Sequence, residues 1–318
     1  MDYNEVLETA RTKIGTKCKA CPICNGVACR NTMPGPGAKG IGDTAIRNYQ
    51  KWQEIRVNMD TICEKKQIDT GLELFGKHFS YPFFAGPVGA IAMHYSKAYS
   101  DVTYNEVLVS ACAENGIAAF TGDGLDSSVM AAATRAIKAV DGQGIPTVKP
   151  WNLETIKEKL ALVKESGAFA VAMDIDAAGL PFLQNMMPPA GSKSVSELAE
   201  IAQQAGAHAI IVSNHGGRVL DQCAATAEVL PEIAAAVGGK MRIIVDGGVR
   251  SGVDIFKALA LGADAVVIAR PFVTAVFGGG KEGVKVYIEK LAAELKDTMA
   301  MCGAFTLKEI TSEMVRRS

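Results

Sequence analysis

The chain has 318 residues, 48% of which are hydrophobic, and its formal net charge at pH 7 is -1. This length suits one large α/β domain with an extension, and the near-neutral charge argues against nucleic acid as the main partner. No apolar run approaches the roughly 20 residues that a membrane span needs, and residues 1–5 do not resemble a signal peptide. We therefore expect a cytoplasmic protein whose eight cysteines are thiols or metal ligands rather than disulfides.

The first distinctive segment along the chain is rich in cysteine. Intervals of two, two and four residues separate four thiols, those of Cys18, Cys21, Cys24 and Cys29. In a reducing compartment this density indicates either a metal site, holding zinc or an iron–sulfur cluster, or redox-active thiols. The spacing resembles the bacterial ferredoxin pattern without matching it. The Gly- and Pro-rich stretch that follows at 33–42 indicates irregular backbone, either a lid over a ligand or a connector.

From about Tyr81 onward, short apolar runs alternate with amphipathic stretches, which predicts a parallel α/β fold. Seven strands are predicted, starting at Phe83, Ile117, Pro146, Ala168, Ala207, Arg242 and Ala265. Helices are predicted over 104–115, 127–140, 152–166, 195–205, 231–237 and 253–261, with closing helices after Phe272. The cap of the second helix is expected at Asp126 or Ser127, and Pro231 at the first position of the fifth.

Seven strands are one fewer than a closed (β/α)8 barrel contains. The missing unit falls between Asp176 and Ala207, where prolines interrupt the chain. We therefore expect a TIM-type barrel over 79–318 that is shortened, and irregular or open, at this one place. Residues 1–78 are expected to form a cysteine-rich N-terminal extension.

The loop after the fifth predicted strand carries chemistry. Ser213-Asn214-His215-Gly216-Gly217-Arg218 follows an apolar run at 207–212, which places these side chains at the carboxyl end of a strand. Parallel α/β folds bind their ligands at that end. An imidazole transfers protons near neutral pH, and a guanidinium binds a carboxylate through two hydrogen bonds.

Two further segments follow strands in the same way, Asp-Gly-Gly-Val-Arg-Ser-Gly at 246–252 and Ala-Arg-Pro at 269–271. The loops after the last two strands of a TIM barrel commonly form a phosphate site. Together the three motifs, in this order, resemble the signature of the FMN-dependent 2-hydroxy-acid oxidases and dehydrogenases. The resemblance extends from about Tyr81 to the C-terminus.

The resemblance implies where FMN binds. The implied contacts are Pro87, Val88, Gly89, Ser213, Asp246, Gly247, Gly248, Arg250, Ala269 and Arg270, the phosphate being held by the two glycines and two arginines among them. The family usually has glycine in place of Ala269. It also has a lysine against the flavin, for which Lys193 is the candidate by its order along the chain, while Lys149 is a second source of positive charge.

The resemblance also implies the chemistry. His215 would take the hydroxyl proton of the substrate while a hydride equivalent passes to the flavin, Asp176 would pair with His215, and Arg218 would hold the substrate carboxylate. Asp174 points to the same side of its strand as Asp176 and is a further candidate.

We therefore expect oxidation of a small L-2-hydroxy acid, such as lactate, to the 2-oxo acid, with the electron acceptor left open. The alternatives are another FMN-barrel reaction, such as isopentenyl diphosphate isomerisation, and a non-catalytic flavin- or metal-binding redox sensor. A homo-oligomer is expected by analogy with the family.

Overall fold

The computed structural model describes residues 1–60, 62–64, 66–124, 126–176 and 194–317. The N-terminal part comprises α1 (Tyr3–Lys13), α2 (Asp43–Glu54), the short strand β1 (Ile55–Val57) and a hairpin of β2 (Leu72–Leu74) and β3 (Lys77–Phe79). The segment between α1 and α2 contains the four clustered cysteines and has no regular secondary structure.

Seven parallel strands form the central sheet of the described chain. They are β4 (Phe83–Ala85), β5 (Ala119–Thr121), β6 (Gly144–Val148), β7 (Ala172–Met173), β8 (Ala209–Val212), β9 (Arg242–Val245) and β10 (Ala265–Ile268). Their order in the sheet is β7-β6-β5-β4-β10-β9-β8. All seven predicted strands are therefore confirmed, and β7 and β8 are the two edges. The position of the missing unit, between these edges in sequence, includes residues 177–193, which lie outside the described residues.

Helices follow the strands, as predicted from the amphipathic stretches. They are α3 (Ile91–His94), α4 (Asp101–Glu114), α5 (Ser127–Lys138), α6 (Leu153–Glu165), α7 (Val195–Gln204), α8 (Thr226–Val237), α9 (Gly252–Ala260) and the long α10 (Arg270–Met301). Asp126 caps α5 by accepting a hydrogen bond from the backbone N–H of Ser128 at 2.9 Å. The capping prediction is thus confirmed.

The prediction for Pro231 is wrong, because α8 begins five residues earlier and contains this proline. Proline lacks the N–H that would bond to the carbonyl four residues before it. That carbonyl belongs to Ala227, and it accepts instead from the guanidinium of Arg317 at 3.3 Å. A side chain at the C-terminus therefore satisfies the group that the proline leaves unpaired within the helix.

The N-terminal part is packed onto the barrel. Helix α1 lies against α10, and β1 pairs antiparallel with the C-terminal strand β11 (Val315–Arg317). Leu7, Ile14 and Trp52 are buried in the same core cluster as the strands of the central sheet. The division of the chain at residue 78 stays a prediction, but the two sides of it share one core.

None of the helices in the described ranges is both long enough and apolar enough to cross a membrane.

Candidate active site

His215 and Asp176 meet at the carboxyl edge of the sheet. Asp176 follows β7, and His215 begins a short 3-10 turn, His215–Gly217, after β8. The Nδ1 atom of His215 lies 3.1 Å from Oδ1 of Asp176 and 3.6 Å from Oδ1 of Asp174. The imidazole is thus in hydrogen-bond contact with one carboxylate and within ion-pair distance of a second.

The electrostatics of this group favour a protonated imidazole. Burial disfavours the cation, but the hydrogen bond to Asp176 and the charges of Asp176 and Asp174 raise the pKa of His215 above its ordinary value. Burial and the neighbouring Asp176 raise the pKa of the Asp174 carboxyl. For Asp176 burial acts in the same direction, yet its hydrogen bonds to His215 and Asp174 hold its pKa below the ordinary value.

Lys149 is bound within the same group of charges. It follows β6, and its Nζ donates to Oδ2 of Asp174 at 2.9 Å. Both side chains are largely buried, with 12% and 18% of their surface exposed. Lys149, Asp174, Asp176 and His215 therefore form a continuous chain of charges along the ends of β6, β7 and β8. Lys193, the other lysine expected near the flavin, lies outside the described residues.

A buried anchor beneath Lys149 was not foreseen from the sequence. The carboxylate of Asp123 accepts from the backbone N–H of Lys149 at 3.0 Å and from the indole of Trp151 at 2.6 Å. It also forms an ion pair with Lys159, which extends from α6. Asp123 lies in the loop after β5, so this network fixes the loops that follow β5 and β6 relative to each other.

Arg218 contacts the Gly- and Pro-rich stretch rather than open space. Its Nη1 donates to the carbonyl oxygens of Gly35 at 2.6 Å and Gly37 at 3.0 Å. Its Nη2 lies 3.3 Å from Nε2 of His94. His94 lies against the same stretch, and its Nδ1 accepts from the N–H of Gly35 at 2.9 Å. Burial, and next the charge of Arg218, lower the pKa of His94 to about 4.

The two arginines assigned to a phosphate also contact the N-terminal segment. The Nε of Arg250 donates to the carbonyl oxygen of Cys24 at 2.6 Å. The Nη1 atom of Arg270 lies 3.5 Å from the carbonyl oxygen of Pro36. Carbonyl oxygens of residues 24–37 therefore occupy part of the hydrogen-bonding capacity of all three candidate anion-binding arginines.

The glycine pair after β9 approaches helix α2 closely. Gly247 and Gly248 both have positive φ angles, +87° and +83°. A Cβ atom on Gly248 would overlap the backbone carbonyl of Asn48. The Asn48 side chain itself exchanges hydrogen bonds with Asn214, at 2.7 and 2.9 Å, in the loop that carries His215. Asn48 carries no motif in the sequence, and only the packing of α2 against both loops reveals its role.

Three polar atoms at the carboxyl edge are buried without a hydrogen-bond partner in the described structure. They are Oγ1 of Thr121 at the end of β5, Oγ1 of Thr147 in β6 and Oδ1 of Asp246 after β9. Burial raises the pKa of Asp246 to about 6. An unsatisfied buried polar atom is costly, so these groups indicate a place where a polar ligand supplies the partners.

The chain is similar to proteins of one known family. A sequence model described as FMN-dependent dehydrogenase matches residues 36–186 and 194–317. The chain belongs to the FMN-dependent dehydrogenase family. A 2-hydroxyacid oxidase of Dictyostelium discoideum is 48% identical over 117 residues, which are 37% of this chain and 30% of that protein. An L-lactate oxidase of Lactobacillus jensenii is 43% identical over 152 residues, covering 48% of this chain and 36% of that protein. The matched region thus spans about a third of the length of these relatives.

Solved structures of this family share the fold. Mandelate oxidase with 3,3-difluoro-2-hydroxy-3-phenylpropionic acid superposes with a TM-score of 0.77 at 23% identity, covering 99% of this chain and 98% of that one. A flavocytochrome b2 variant with pyruvate bound has a TM-score of 0.71 at 22% identity, covering 88% and 80% of the two chains. These proteins are TIM-barrel oxidases, so the curled sheet described here has the TIM-barrel fold, with β7 and β8 as its edges among the described residues.

The residues present fit the family's cofactor. The unpartnered oxygens of Thr121, Thr147 and Asp246 lie on the edge where FMN-dependent barrels bind their ligand, and a flavin offers ring and ribityl groups to pair with them. Pro87, Val88 and Gly89 follow β4 at the same edge, and Gly122 packs against Val88 there. Ala269 lies between β10 and α10, whose first residue is Arg270.

Proposed function

We propose that this protein oxidises a small L-2-hydroxy acid, of the size of lactate, to the corresponding 2-oxo acid with FMN as the hydride acceptor. The observation that carries the proposal is the contact of 3.1 Å between His215 and Asp176 at the carboxyl edge of the sheet. It supplies a proton acceptor with a paired carboxylate at the end of a barrel where catalytic groups of TIM-type enzymes lie. The relatives named 2-hydroxyacid oxidase and L-lactate oxidase support the same reaction class.

FMN would be held by groups at the ends of four strands. Pro87, Val88 and Gly89 lie after β4, Ser213 after β8, Asp246, Gly247, Gly248 and Arg250 after β9, and Ala269 and Arg270 after β10. When bound, FMN supplies a two-electron acceptor for the hydride of the substrate α-carbon. Positive charge from Lys149 would lie near the ring, because its ammonium is fixed to Asp174 in the same row of strand ends.

His215 takes the proton of the substrate hydroxyl. The neutral imidazole is the reactive form, and Asp176 stabilises the imidazolium that results, in the manner of His–Asp pairs in other enzymes. The contact to Nδ1 leaves Nε2 as the atom that faces the substrate. Asp174 adds a second negative charge at 3.6 Å, which stabilises the same cation further.

Arg218 binds the substrate carboxylate. It lies three residues after His215, and its guanidinium is fixed by the carbonyl oxygens of Gly35 and Gly37. Those two bonds use Nη1, and Nη2 lies 3.3 Å from Nε2 of His94, so among the described residues Nε is the donor without a partner that would address a carboxylate. The stretch at 33–42 then acts as a wall of the substrate pocket that orients the arginine.

The test is the visible spectrum of the anaerobically purified protein during titration with L-lactate and, separately, D-lactate. We expect bound flavin whose absorption bleaches with the L-enantiomer and is unchanged by the D-enantiomer. Flavin that is present but not bleached by lactate or by other 2-hydroxy acids would contradict the proposed reaction. Protein that binds no FMN when the cofactor is added would contradict the proposed cofactor.

A further inference from the structure

The four clustered thiols line one pocket. Its walls are formed by Cys18, Cys21, Cys24 and Cys29 together with Pro36, Tyr95, Arg270 and Thr274. All four cysteines are half-buried, and none of them is in a disulfide. Four cysteines that share only a surface loop need not line one pocket, so this shared lining makes the pocket a candidate ligand site.

The spacing of the sulfur atoms distinguishes between metal groups. Zinc holds four thiolates at about 2.3 Å in a tetrahedron, which places the sulfurs about 3.8 Å from one another. Within the described ranges, one group of at least three His, Cys, Asp or Glu side chains has ligand atoms that all lie within 4.8 Å of one another. That group is Asp174, Asp176 and His215. No three of the four thiols therefore approach as closely as a zinc site requires. An iron–sulfur cubane binds each thiolate through a different iron atom, so it accommodates sulfurs that are farther apart around a central space.

The surroundings of the cavity supply positive charge. Lys19 and Arg270 line it, and Arg250 donates to the carbonyl oxygen of Cys24 at 2.6 Å. Arg11 donates to the carbonyl oxygen of Ala20 at 3.1 Å, in the middle of the cysteine loop. A cluster ligated by four thiolates carries net negative charge, and cations next to it lower the cost of burying that charge.

The backbone of the loop is held in shape from several sides. Ala20 and Gly26 have positive φ angles of +41° and +85°, which turn the chain around the cavity. A Cβ atom on Gly26 would lie 3.2 Å from Ala45 of α2, so the loop is pressed against that helix. The hydroxyl of Thr32 donates to the carbonyl oxygen of Cys29 at 2.5 Å. The ligand positions are thus set by packing and hydrogen bonds of the folded chain.

We propose that Cys18, Cys21, Cys24 and Cys29 bind a [4Fe–4S] cluster, one thiolate to each iron. The cluster would lie beside the loop of His215, because Arg270 both lines the pocket and approaches Gly216, where a Cβ atom would lie 3.1 Å from Nη2 of the arginine. Its role rests on the proposed function: oxidation of one hydroxy acid releases two electrons and two protons. The electrons pass one at a time from the reduced flavin through the cluster to an external one-electron carrier protein, and the protons pass to solvent.

The first experiment measures the metal itself. The full chain is produced with ample iron and purified without oxygen, and iron, acid-labile sulfide and zinc are determined per chain. We expect about four irons and four sulfides, and an EPR signal of a reduced cluster after addition of dithionite. One zinc per chain without sulfide, or protein without metal after reconstitution with iron and sulfide, would overturn the proposal.

One cysteine variant and a matched control test whether the thiol of Cys24 binds the cluster. Cys24→Ser removes a thiol of the cavity but leaves the backbone carbonyl that Arg250 contacts, whereas Cys63→Ser changes an exposed thiol outside the cavity. We expect Cys24→Ser to lose most of its iron and the cluster signal while keeping its content of FMN. Cys63→Ser should retain both. Equal iron content in the two variants would overturn the ligand assignment, and FMN content with circular dichroism shows that each variant is folded.

The electron-transfer role is tested with L-lactate as donor and cytochrome c as the one-electron acceptor. We expect Cys24→Ser to bleach its flavin with L-lactate at the rate of the unaltered protein, but to reduce cytochrome c at least tenfold more slowly. Equal rates of cytochrome c reduction in the two proteins would overturn the role of the cluster. Failure of L-lactate to bleach the flavin in the unaltered protein would instead contradict the proposed function. The iron and sulfide contents would then still show whether the cluster is present.

Discussion

Nδ1 of His215 lies 3.1 Å from Oδ1 of Asp176, although the two residues follow opposite edge strands of the described sheet. The sheet order begins with β7 and ends with β8, so this contact joins its two ends at their carboxyl edge. The curl of the seven described strands therefore brings a His–carboxylate pair together at this edge.

This pairing predicts the pH dependence of catalysis. Because the carboxylates raise the pKa of His215, the neutral base forms only above the ordinary histidine pKa of about 6.5, and kcat/KM should rise with pH through a value higher than that. Asp176→Asn removes the hydrogen-bonded charge, so the acid limb should move to lower pH and kcat should fall about 10²- to 10⁴-fold. Asp174→Asn keeps the shorter contact and should move the limb less. The pH–rate profiles of both variants test this. A larger shift of the acid limb in Asp174→Asn than in Asp176→Asn would contradict the assignment of Asp176 as the partner of His215.

The Asp123 network predicts a large loss of stability. Asp123→Asn leaves the ammonium of Lys159, 10% exposed, without its buried counter-charge. Breaking a buried pair in this way costs about 3–5 kcal/mol, whereas an exposed pair contributes about 0–1 kcal/mol. The control is Glu114→Gln, which breaks a pair with Lys281 that is about half exposed on both sides. Urea unfolding should separate the two variants by at least about 2 kcal/mol, and similar midpoints would show that the network is not a structural anchor.

The close approach of Gly248 to α2 predicts a second stability difference. Gly248→Ala and Gly239→Ala both place a Cβ atom at a positive φ angle, +83° and +77°, so the backbone strain is similar. Only at position 248 does the new atom overlap the Asn48 carbonyl, since nothing lies within 4 Å of a Cβ on Gly239. Gly248→Ala should therefore be less stable than Gly239→Ala by about 1–3 kcal/mol, and it should bind FMN more weakly. Equal thermal unfolding of the two variants would contradict this packing.

His94 predicts how acid affects the fold. Its pKa in the folded chain, about 4, lies below the ordinary value of about 6.5, so the folded state binds fewer protons than the unfolded state between these values. The stability that neutral His94 confers is fully present above about pH 6.5, and it is lost as the pH falls toward 4. His94→Gln keeps an acceptor for the N–H of Gly35 but does not titrate. Its unfolding free energy should fall less between pH 8 and pH 5, roughly the range in which histidine protonates.

The control for that comparison is His78→Gln, a change at an exposed histidine on β3. It removes a histidine that lies outside the contact with Arg218 and Gly35, so it shows the effect of losing a histidine elsewhere in the chain. If His94→Gln followed the acid dependence of the unaltered protein, the contact of His94 with Arg218 and Gly35 would not hold this loop in the folded state.

The barrel strands could be predicted because each is a largely apolar run that is followed within two positions by Gly or a polar residue. The contact of His215 with Asp176 could also be anticipated, because the carboxyl ends of parallel strands share one edge. The start of α8 could not, because Pro231 is tolerated inside it only through Arg317, a residue far along the chain.

The surroundings of the candidate site were also beyond the reach of sequence patterns. The partners of Arg218 come from a stretch about 180 residues away, with separations of 183 and 181. Asn48 and Asp123 are isolated polar residues whose environment is set by long-range packing. Nothing in their local sequence distinguishes them from surface residues, so periodicity and motif spacing carry no signal for them.

The central claim, that His215 is the base that permits hydride transfer, is tested most directly by the rate at which L-lactate bleaches the bound flavin in anaerobic stopped-flow mixing. We expect His215→Gln to bind FMN normally but to bleach about 10²- to 10⁴-fold more slowly than the unaltered protein, while His78→Gln bleaches at the unaltered rate. Equal rates in all three proteins would contradict the claim.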